Sequence, residues 1–424
     1  MVSDGLAVRR AAALMLLEVT GKRRLLSEVL GDAHGPLAGL DGPERARAQR
    51  LVLAALRRVL PADALLAPHM QRAPAPFVQA VLRLAVAELA ERPQDAHGIV
   101  SEAVSLVRGD PKTTQAAGFV NAVLRKVSSA PVILDAQRLP GWLRAPLVKR
   151  FGKAAVKGIE AAHLAGPMLD LTLKHPDQAE DWAVRLNAAV MQGGSLRLTP
   201  GVQVSALPGY EDGAWWVQDA AAAVPAQVLA PQPGELVLDM CAAPGGKTMQ
   251  MAAAGAQVVA LDSSAPRLER LRDNLARTGL NAEIVVADAQ DWQTDLRFDA
   301  ILLDAPCSAT GTIRRHPDLP FVKDAGDLPG LVALQSALID RAAALLKPGG
   351  RLVYCTCSLL PDEGEDQMAA ALARHPDLAR DQKAVAGWPG AWDAKGGGLR
   401  IRPDHWADKG GLDGFFIGAM RKAG

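Results

Sequence analysis

The chain is predicted to be a multi-domain protein. An all-α N-terminal bundle spans residues 1–130, a linker 131–165, a small α/β module 166–230 and a C-terminal α/β Rossmann-like domain 231–424. Three observations carry this. At 424 residues the chain exceeds what one hydrophobic core usually serves. Its first 130 residues are rich in Ala, Leu and Arg at helical spacing. After Gly234 the texture changes to short apolar runs alternating with helix-like stretches.

The N-terminal helices follow from periodicity. Leu6-Ala7-Val8, Ala11, Leu14-Met15 and Val19 recur at helical spacing, and similar patterns fill Ala46 to Val59, Pro76 to Leu89 and Ile99 to Val107. Gly, Pro and Asp separate them, and Gly118 to Arg125 reads as a last helix. Residues 131–165 are a basic, Pro-containing connection. Period-two segments, Leu169–Leu173 and Ser195–Leu198, mark strands of the middle module. Beyond it come five strand-length apolar runs: Leu236–Met240, Val258–Leu261, Ile284–Ala287, Ala300–Leu303 and Leu352–Cys355. Helical stretches such as Ala265–Arg277 and Gly330–Leu346 lie between most of them. That alternation implies a parallel sheet covered on both faces.

Composition excludes several classes. Hydrophobic residues at 49% and charged residues at 22% are those of a soluble globular protein. No run of 18 uninterrupted apolar residues predicts a membrane span, and Met1 to Arg10 shows no secretory leader. The four cysteines all follow residue 240 without a disulfide-type pattern, which points to a reducing cytoplasm. The net charge of +1 conceals an asymmetry, because residues 1–130 hold 17 basic against 12 acidic residues. Lys22-Arg23-Arg24, Arg57-Arg58, Arg125-Lys126 and Arg314-Arg315 could be solvated helix faces or phosphate contacts.

Four of the apolar runs lead into Asp239, Asp262, Asp288 and Asp304. In a doubly wound sheet the ligand crevice lies outside the carboxyl ends of the strands, where acidic groups accept hydrogen bonds from ribose hydroxyls or an adenine amino group. A single such Asp is ordinarily a turn or cap residue; four in succession point to a shared ligand. The first run continues as Cys241-Ala242-Ala243-Pro244-Gly245-Gly246-Lys247-Thr248. A P-loop would need Gly where Cys241 stands, and the dinucleotide fingerprint is absent. The remaining reading is a loop of small residues that admits a carboxylate- and sulfonium-bearing cofactor. Asp262, 23 residues after Asp239, stands where a ribose-binding acid belongs.

Cys355-Thr356-Cys357 is the only close cysteine pair and no His pair accompanies it, so no metal is expected. Cys241 and Cys355 read as small buried hydrophobes. Cys307, in Asp304-Ala305-Pro306-Cys307-Ser308-Ala309-Thr310-Gly311, and Cys357 each follow a strand end. Two thiols and a carboxylate beside a sulfonium pocket suit methylation at C5 of a pyrimidine. That carbon is too electron-poor to attack a methyl sulfonium unaided. A thiolate adding at C6 makes C5 an enamine carbon, and an acid such as Asp304 at N3 assists. A base must then remove the C5 proton, and the target base must be swung out of its stack. By residues alone, Cys307 and Cys357 are equal candidates for the attack.

These stretches resemble the RNA cytosine-5 methyltransferases of the Sun/Fmu family. The likeness rests on Leu238 through Thr248, on Asp304 through Asp318, on Thr356-Cys357-Ser358 and on Asp413-Gly414-Phe415-Phe416. Glu102-Ala103-Val104 and Phe119 through Leu124 are similar to a NusB-like RNA-binding domain. The resemblance implies a class I methyltransferase fold and S-adenosyl-L-methionine as cofactor. Cys241, Ala242, Ala243, Pro244, Gly245, Gly246, Lys247, Asp262, Asp288 and Asp304 would contact it. It further implies Cys357 as nucleophile, Cys307 as the group that assists release, and a cytosine of 16S ribosomal RNA as target, with another RNA such as tRNA the alternative. A monomer is expected. The chain departs from the family's usual pattern at Leu319-Pro320-Phe321, where a Lys-aromatic pair is common.

Overall fold

The structure is a computed structural model and describes residues 4–394 and 397–424. The chain forms two compact units. The first comprises residues up to 145 together with 163–165 and 313–324. The second comprises 146–162, 166–312 and 325–424.

The first unit is helical: Asp4–Lys22, Leu26–Gly31, Gly42–Leu56, Val59–Leu66, Pro76–Glu91, Ala96–Arg108 and Ala117–Val127. Periodicity places most of these within a few residues. It runs one helix on to Val59, whereas the chain turns at Arg57-Arg58 and starts a new helix. The start of Gly42–Leu56 is set by a capping box, Asp41 accepting from the Glu44 amide and Glu44 reaching back to the Asp41 amide. Val8, Met15, Leu16, Val52, Leu56, Leu82, Leu84, Val107 and Leu124 make one core. Residues 313–324 lie far away in sequence yet belong to this unit. The Leu26 amide donates to Asp318 at 2.9 Å, Arg57 donates to the Arg314 carbonyl at 2.8 Å, and Phe321 and Val322 pack on the helical core. The segment that departs from the family pattern thus has a packing role here.

Residues 131–165, read as a connection, contain the helix Gly141–Ala165, interrupted at Gly152 (φ 84°). A left-handed φ of this kind suits a residue without Cβ.

In the second unit, β1 (Leu169–Leu173), β2 (Ala189–Val190), β3 (Leu196–Leu198) and β4 (Trp215–Val217) form an antiparallel sheet in the order β2-β3-β1-β4. Leu171, Leu173, Trp182, Leu196 and Trp215 fill its core. Asp170 and Arg197, direct cross-strand partners, form a buried two-pronged ion pair with both contacts at 2.7 Å. Asp170 also accepts from the Ala220 amide, and Arg197 donates to the Lys409 and Gly411 carbonyls. Removing one partner strands the other charge. Asp170→Ala should therefore cost about 3–5 kcal/mol of unfolding free energy, measured by denaturant titration; a loss below about 1 kcal/mol would refute this role.

The large sheet has the order β10-β12-β9-β8-β5-β6-β7. Its strands are β5 (Leu236–Met240), β6 (Gln257–Asp262), β7 (Glu283–Val286), β8 (Phe298–Asp304), β9 (Leu346–Thr356), β10 (Leu378–Arg380) and β12 (Phe415–Lys422); β11 (Leu399–Ile401) pairs with β12. Strands β9-β8-β5-β6-β7 are parallel, as the apolar runs require, while β10, β11 and β12 are antiparallel additions. From β5 the chain winds to β6 and β7 on one side and to β8 and β9 on the other. In doubly wound sheets ligands bind at such a reversal, which here falls at the carboxyl ends of β5 and β8. The helix Leu328–Leu345 lies within Ala325–Leu345, which is apolar and long enough to cross a membrane. It buries Leu338, Ile339, Ala342 and Leu345 in the same core as Ile301 and Leu303 of β8.

Candidate active site

Strand β5 ends in a tight loop leading to the helix Gly246–Ala253. Cys241 (φ 64°) and Gly245 (φ 102°) take left-handed conformations, and the Ala243–Pro244 bond is cis. The Cys241 and Ala242 amides both donate to the Leu261 carbonyl, at 2.8 and 3.1 Å. A Cβ at Gly245 would stand 2.1 Å from Leu271, so only glycine lets the loop pack there.

Asp239 is 1% exposed and accepts from Thr248 Oγ1 at 2.5 Å, pinning β5 to the helix across the loop, while its Oδ1 is buried without a partner among the described residues. Burial pushes its carboxyl up to about 7 against the opposing Thr248 hydrogen bond. Asp262, ending β6, accepts from the Ala243 amide at 3.1 Å and the Ser264 amide at 2.9 Å. Each of its oxygens keeps further lone-pair capacity. Asp288 lies exposed two residues beyond β7, where its carboxylate accepts from the Gln290 amide.

Lys247 occupies the position a P-loop lysine would hold, but its ammonium turns to Asp304 Oδ2 at 2.7 Å and over the Phe415 ring at 5.4 Å. Burial opposes its charge, yet Asp304, with Cys355 and Asp239, outweighs this and holds the ammonium above the usual lysine range. Asp304, at the end of β8, also accepts from Cys355 Sγ at 3.5 Å. Burial, then Asp304, pushes the Cys355 thiol well up, and burial followed by Asp262 does the same to Cys241. Both are poor nucleophiles as they stand.

The two thiols that the sequence leaves equivalent meet. Cys307 Sγ and Cys357 Sγ are 3.4 Å apart, and both residues are half-buried. The hydrogen bond to Cys357, followed by burial, raises the Cys307 thiol well above its ordinary range. The segments carrying them are locked together. The Gly311 amide donates to the Cys357 carbonyl at 2.9 Å and the Gly414 amide to the Gly311 carbonyl at 2.8 Å. A Cβ at Gly311 would fall 2.0 Å from the Gly414 carbonyl oxygen.

Of the expected site residues, the structure gathers Lys247, Asp304, Cys307 and Cys357 in direct pairs and ties the loop at Ala243 to Asp262. Asp288 shares no hydrogen bond with the others. Sequence reading misses Glu363. This residue is fully buried and bonded to Ser308, and nothing but its place after Pro361 in a short turn marks it. The hydroxyls of Ser308, Thr310 and Ser358, 3.2–3.3 Å apart, escape it too. Among the described residues no group of three or more His, Cys, Asp and Glu side chains could hold a metal ion.

Comparison with known proteins fits this geometry. Residues 226–421 match the family model described as 16S rRNA methyltransferase RsmB/F, and residues 6–129 match the NusB family. The ribosomal RNA small subunit methyltransferase B of Vibrio cholerae is 39% identical over 348 residues, covering 77% of each chain. The chain belongs to this methyltransferase B family. Its fold is also that of solved structures. The crystal structure of PH0851 superposes over 100% of this chain and 99% of its own, with a TM-score of 0.76 at 22% identity. A methyltransferase homologue from Pyrococcus horikoshii covers 66% of this chain and 94% of its own, at 27% identity and a TM-score of 0.55. The expected multi-domain architecture, with its NusB-like bundle and Rossmann-like methyltransferase domain, is therefore that of the protein.

Proposed function

We propose that the protein transfers a methyl group from S-adenosyl-L-methionine to C5 of a cytosine in 16S ribosomal RNA, through a covalent bond between Cys357 and C6. The observation that carries this reading is the pair of thiols 3.4 Å apart beside the Asp304–Lys247 ion pair, at the carboxyl ends of β8 and β9. Family membership supports the RNA and its subunit.

The residues suit the cofactor. The loop Cys241 to Gly246 has only small side chains, and Asp262 and Asp288 offer carboxylates near the ends of β6 and β7 for ribose hydroxyls and the adenine edge. Bound there, S-adenosylmethionine supplies an electrophilic methyl group. The remaining work belongs to the chain. Cys357, as thiolate, adds to C6 of the flipped base while Asp304 in its acid form passes a proton to N3, so that the ring charge is neutralised and C5 gains the electron density of an enamine carbon. Once C5 carries the methyl group, a base takes the C5 proton. The C5–H electron pair re-forms the C5–C6 double bond as the Cys357–C6 bond breaks and the sulfur leaves as thiolate; Cys307, in contact with that sulfur, assists the release. The basic helical unit, matching the NusB family, serves as an RNA-binding module.

Bisulfite sequencing of ribosomal RNA from cells with and without this protein tests the reading. One 16S cytosine should be protected only when the protein is present. Identical maps, or protection only in tRNA, would overturn the assignment of substrate.

A further inference from the structure

The Cys307–Cys357 pair shares its surroundings with a buried carboxylate that has no part in the methyl transfer described so far. Glu363 is 0% exposed. Its Oε1 accepts from the Ser308 amide at 2.8 Å and from Gln335 Nε2 at 3.0 Å, and its Oε2 accepts from Ser308 Oγ. Its backbone carbonyl accepts from Thr356 Oγ1 at 2.9 Å and from Tyr354 OH at 2.7 Å. Ser308 follows Cys307 and Thr356 precedes Cys357. One residue therefore holds the immediate neighbour of each thiol, one through its side chain and one through its backbone.

Among the described residues no cation is paired with this carboxylate. Arg400, on β11, is committed to Glu365, which Arg150 also meets at 3.2 Å, and to the Ser358 carbonyl, while Asp362 on the same turn as Glu363 adds negative charge. The groups facing Cys307 are Cys357 and Glu363, with the Tyr354 hydroxyl close by and uncharged. A buried negative charge disfavours a second one beside it. Glu363 adds to the factors that raise the Cys307 thiol, after the Cys357 hydrogen bond, burial and the Cys357 charge.

We propose that Glu363 is a positioning residue that clamps the two thiol-bearing segments and keeps the proton of the Cys307–Cys357 pair on Cys307, leaving Cys357 to react as the thiolate. This rests on the reading of Cys357 as the attacking group and extends it, since it explains how two touching thiols take different roles. A neutral glutamine preserves the shape and removes the charge. Aspartate keeps the charge on a shorter arm.

The test is mass-spectrometric measurement of iodoacetamide labelling against pH on the full chain without RNA, in the wild type, Glu363→Gln and Glu363→Asp. In the wild type, Cys307 should label with a midpoint above the ordinary thiol range and about ten-fold more slowly than Cys357 at pH 8. Glu363→Gln should lower the Cys307 midpoint by about one pH unit or more. Glu363→Asp should restore most of the difference. The pH profile of product release in Glu363→Gln should shift downward with the Cys307 midpoint. An unchanged Cys307 midpoint in a folded Glu363→Gln chain, shown folded by binding of S-adenosylhomocysteine, would overturn the proposal. If that variant does not fold, the wild-type order decides, and Cys307 labelling before Cys357 overturns it. The labelling needs no RNA, so an inactive wild type with the expected thiol order would contradict the RNA reaction while leaving the clamp intact.

Discussion

Cys357→Ala should lose methyl transfer to small-subunit RNA by a factor on the order of 10⁴ or more while still folding and binding the cofactor. The expectation follows from the chemistry of the ring. Without a thiol at C6, C5 has no means of becoming nucleophilic, and no neighbouring thiol is equipped to substitute. Cys355 is fully buried and hydrogen-bonded to Asp304, and Cys241 is held in a left-handed loop position with its thiol pushed up by burial. Cys307 is the only thiol within reach of the same place, and its protonated form is favoured by its neighbours. The substitution removes one half-buried sulfur, so the thermal midpoint should change little. Methyl incorporation from labelled cofactor, beside a melting curve, reads both outcomes. Turnover within about ten-fold of the wild type would remove Cys357 from the role of nucleophile.

Cys307→Ala should behave in the opposite sense. The attack on C6 and the methylation of C5 do not require Cys307, but breaking the Cys357–C6 bond depends on the group 3.4 Å from the sulfur that leaves. The enzyme should therefore stall after methylation, and a stable protein–RNA complex should survive denaturing electrophoresis. Multiple turnover should fall by about 10²-fold or more, the range typical of a lost proton-transfer partner, while a first turnover per enzyme persists. A burst followed by arrest would be its kinetic signature. Loss of activity without any complex would make Cys307 part of the attack instead.

How much of this is legible in the residues differs by element. Strands buried on both faces are almost continuously apolar, so Leu236–Met240 of the parallel sheet can be placed to the residue. Leu169–Leu173 of the small sheet is placed equally well by its period of two. Strands β10, β11 and β12 give no such signal. Phe415–Lys422 mixes Gly418, Arg421 and Lys422 into its run, and its place beside β9 is decided by long-range pairing that no local pattern encodes. The helix between Gly141 and Ala165 is hidden by Pro146 and Gly152. At the site, the strand-end acids and the small-residue loop stand out because both are local patterns. Asp239 looks like one more ligand acid, and only packing reveals that Thr248 claims it. The capture of residues 313–324 by the helical unit is invisible as well, since Leu26 and Asp318 stand 292 positions apart. Glu363 sits in an ordinary acidic stretch, and its burial can be learned only from the fold.

Everything in the mechanism turns on whether the bond to RNA forms at Cys357, and peptide mapping of the Cys307→Ala complex decides it. The protein would be incubated with 16S ribosomal RNA and S-adenosylmethionine, digested with nuclease and trypsin, and sequenced by tandem mass spectrometry. The expected product is a methylated cytosine nucleotide attached to the peptide that carries Cys355 and Cys357, with fragmentation placing it on Cys357. A nucleotide on Cys355 or Cys241, or a stalled enzyme bearing no nucleotide at all, would contradict that attachment.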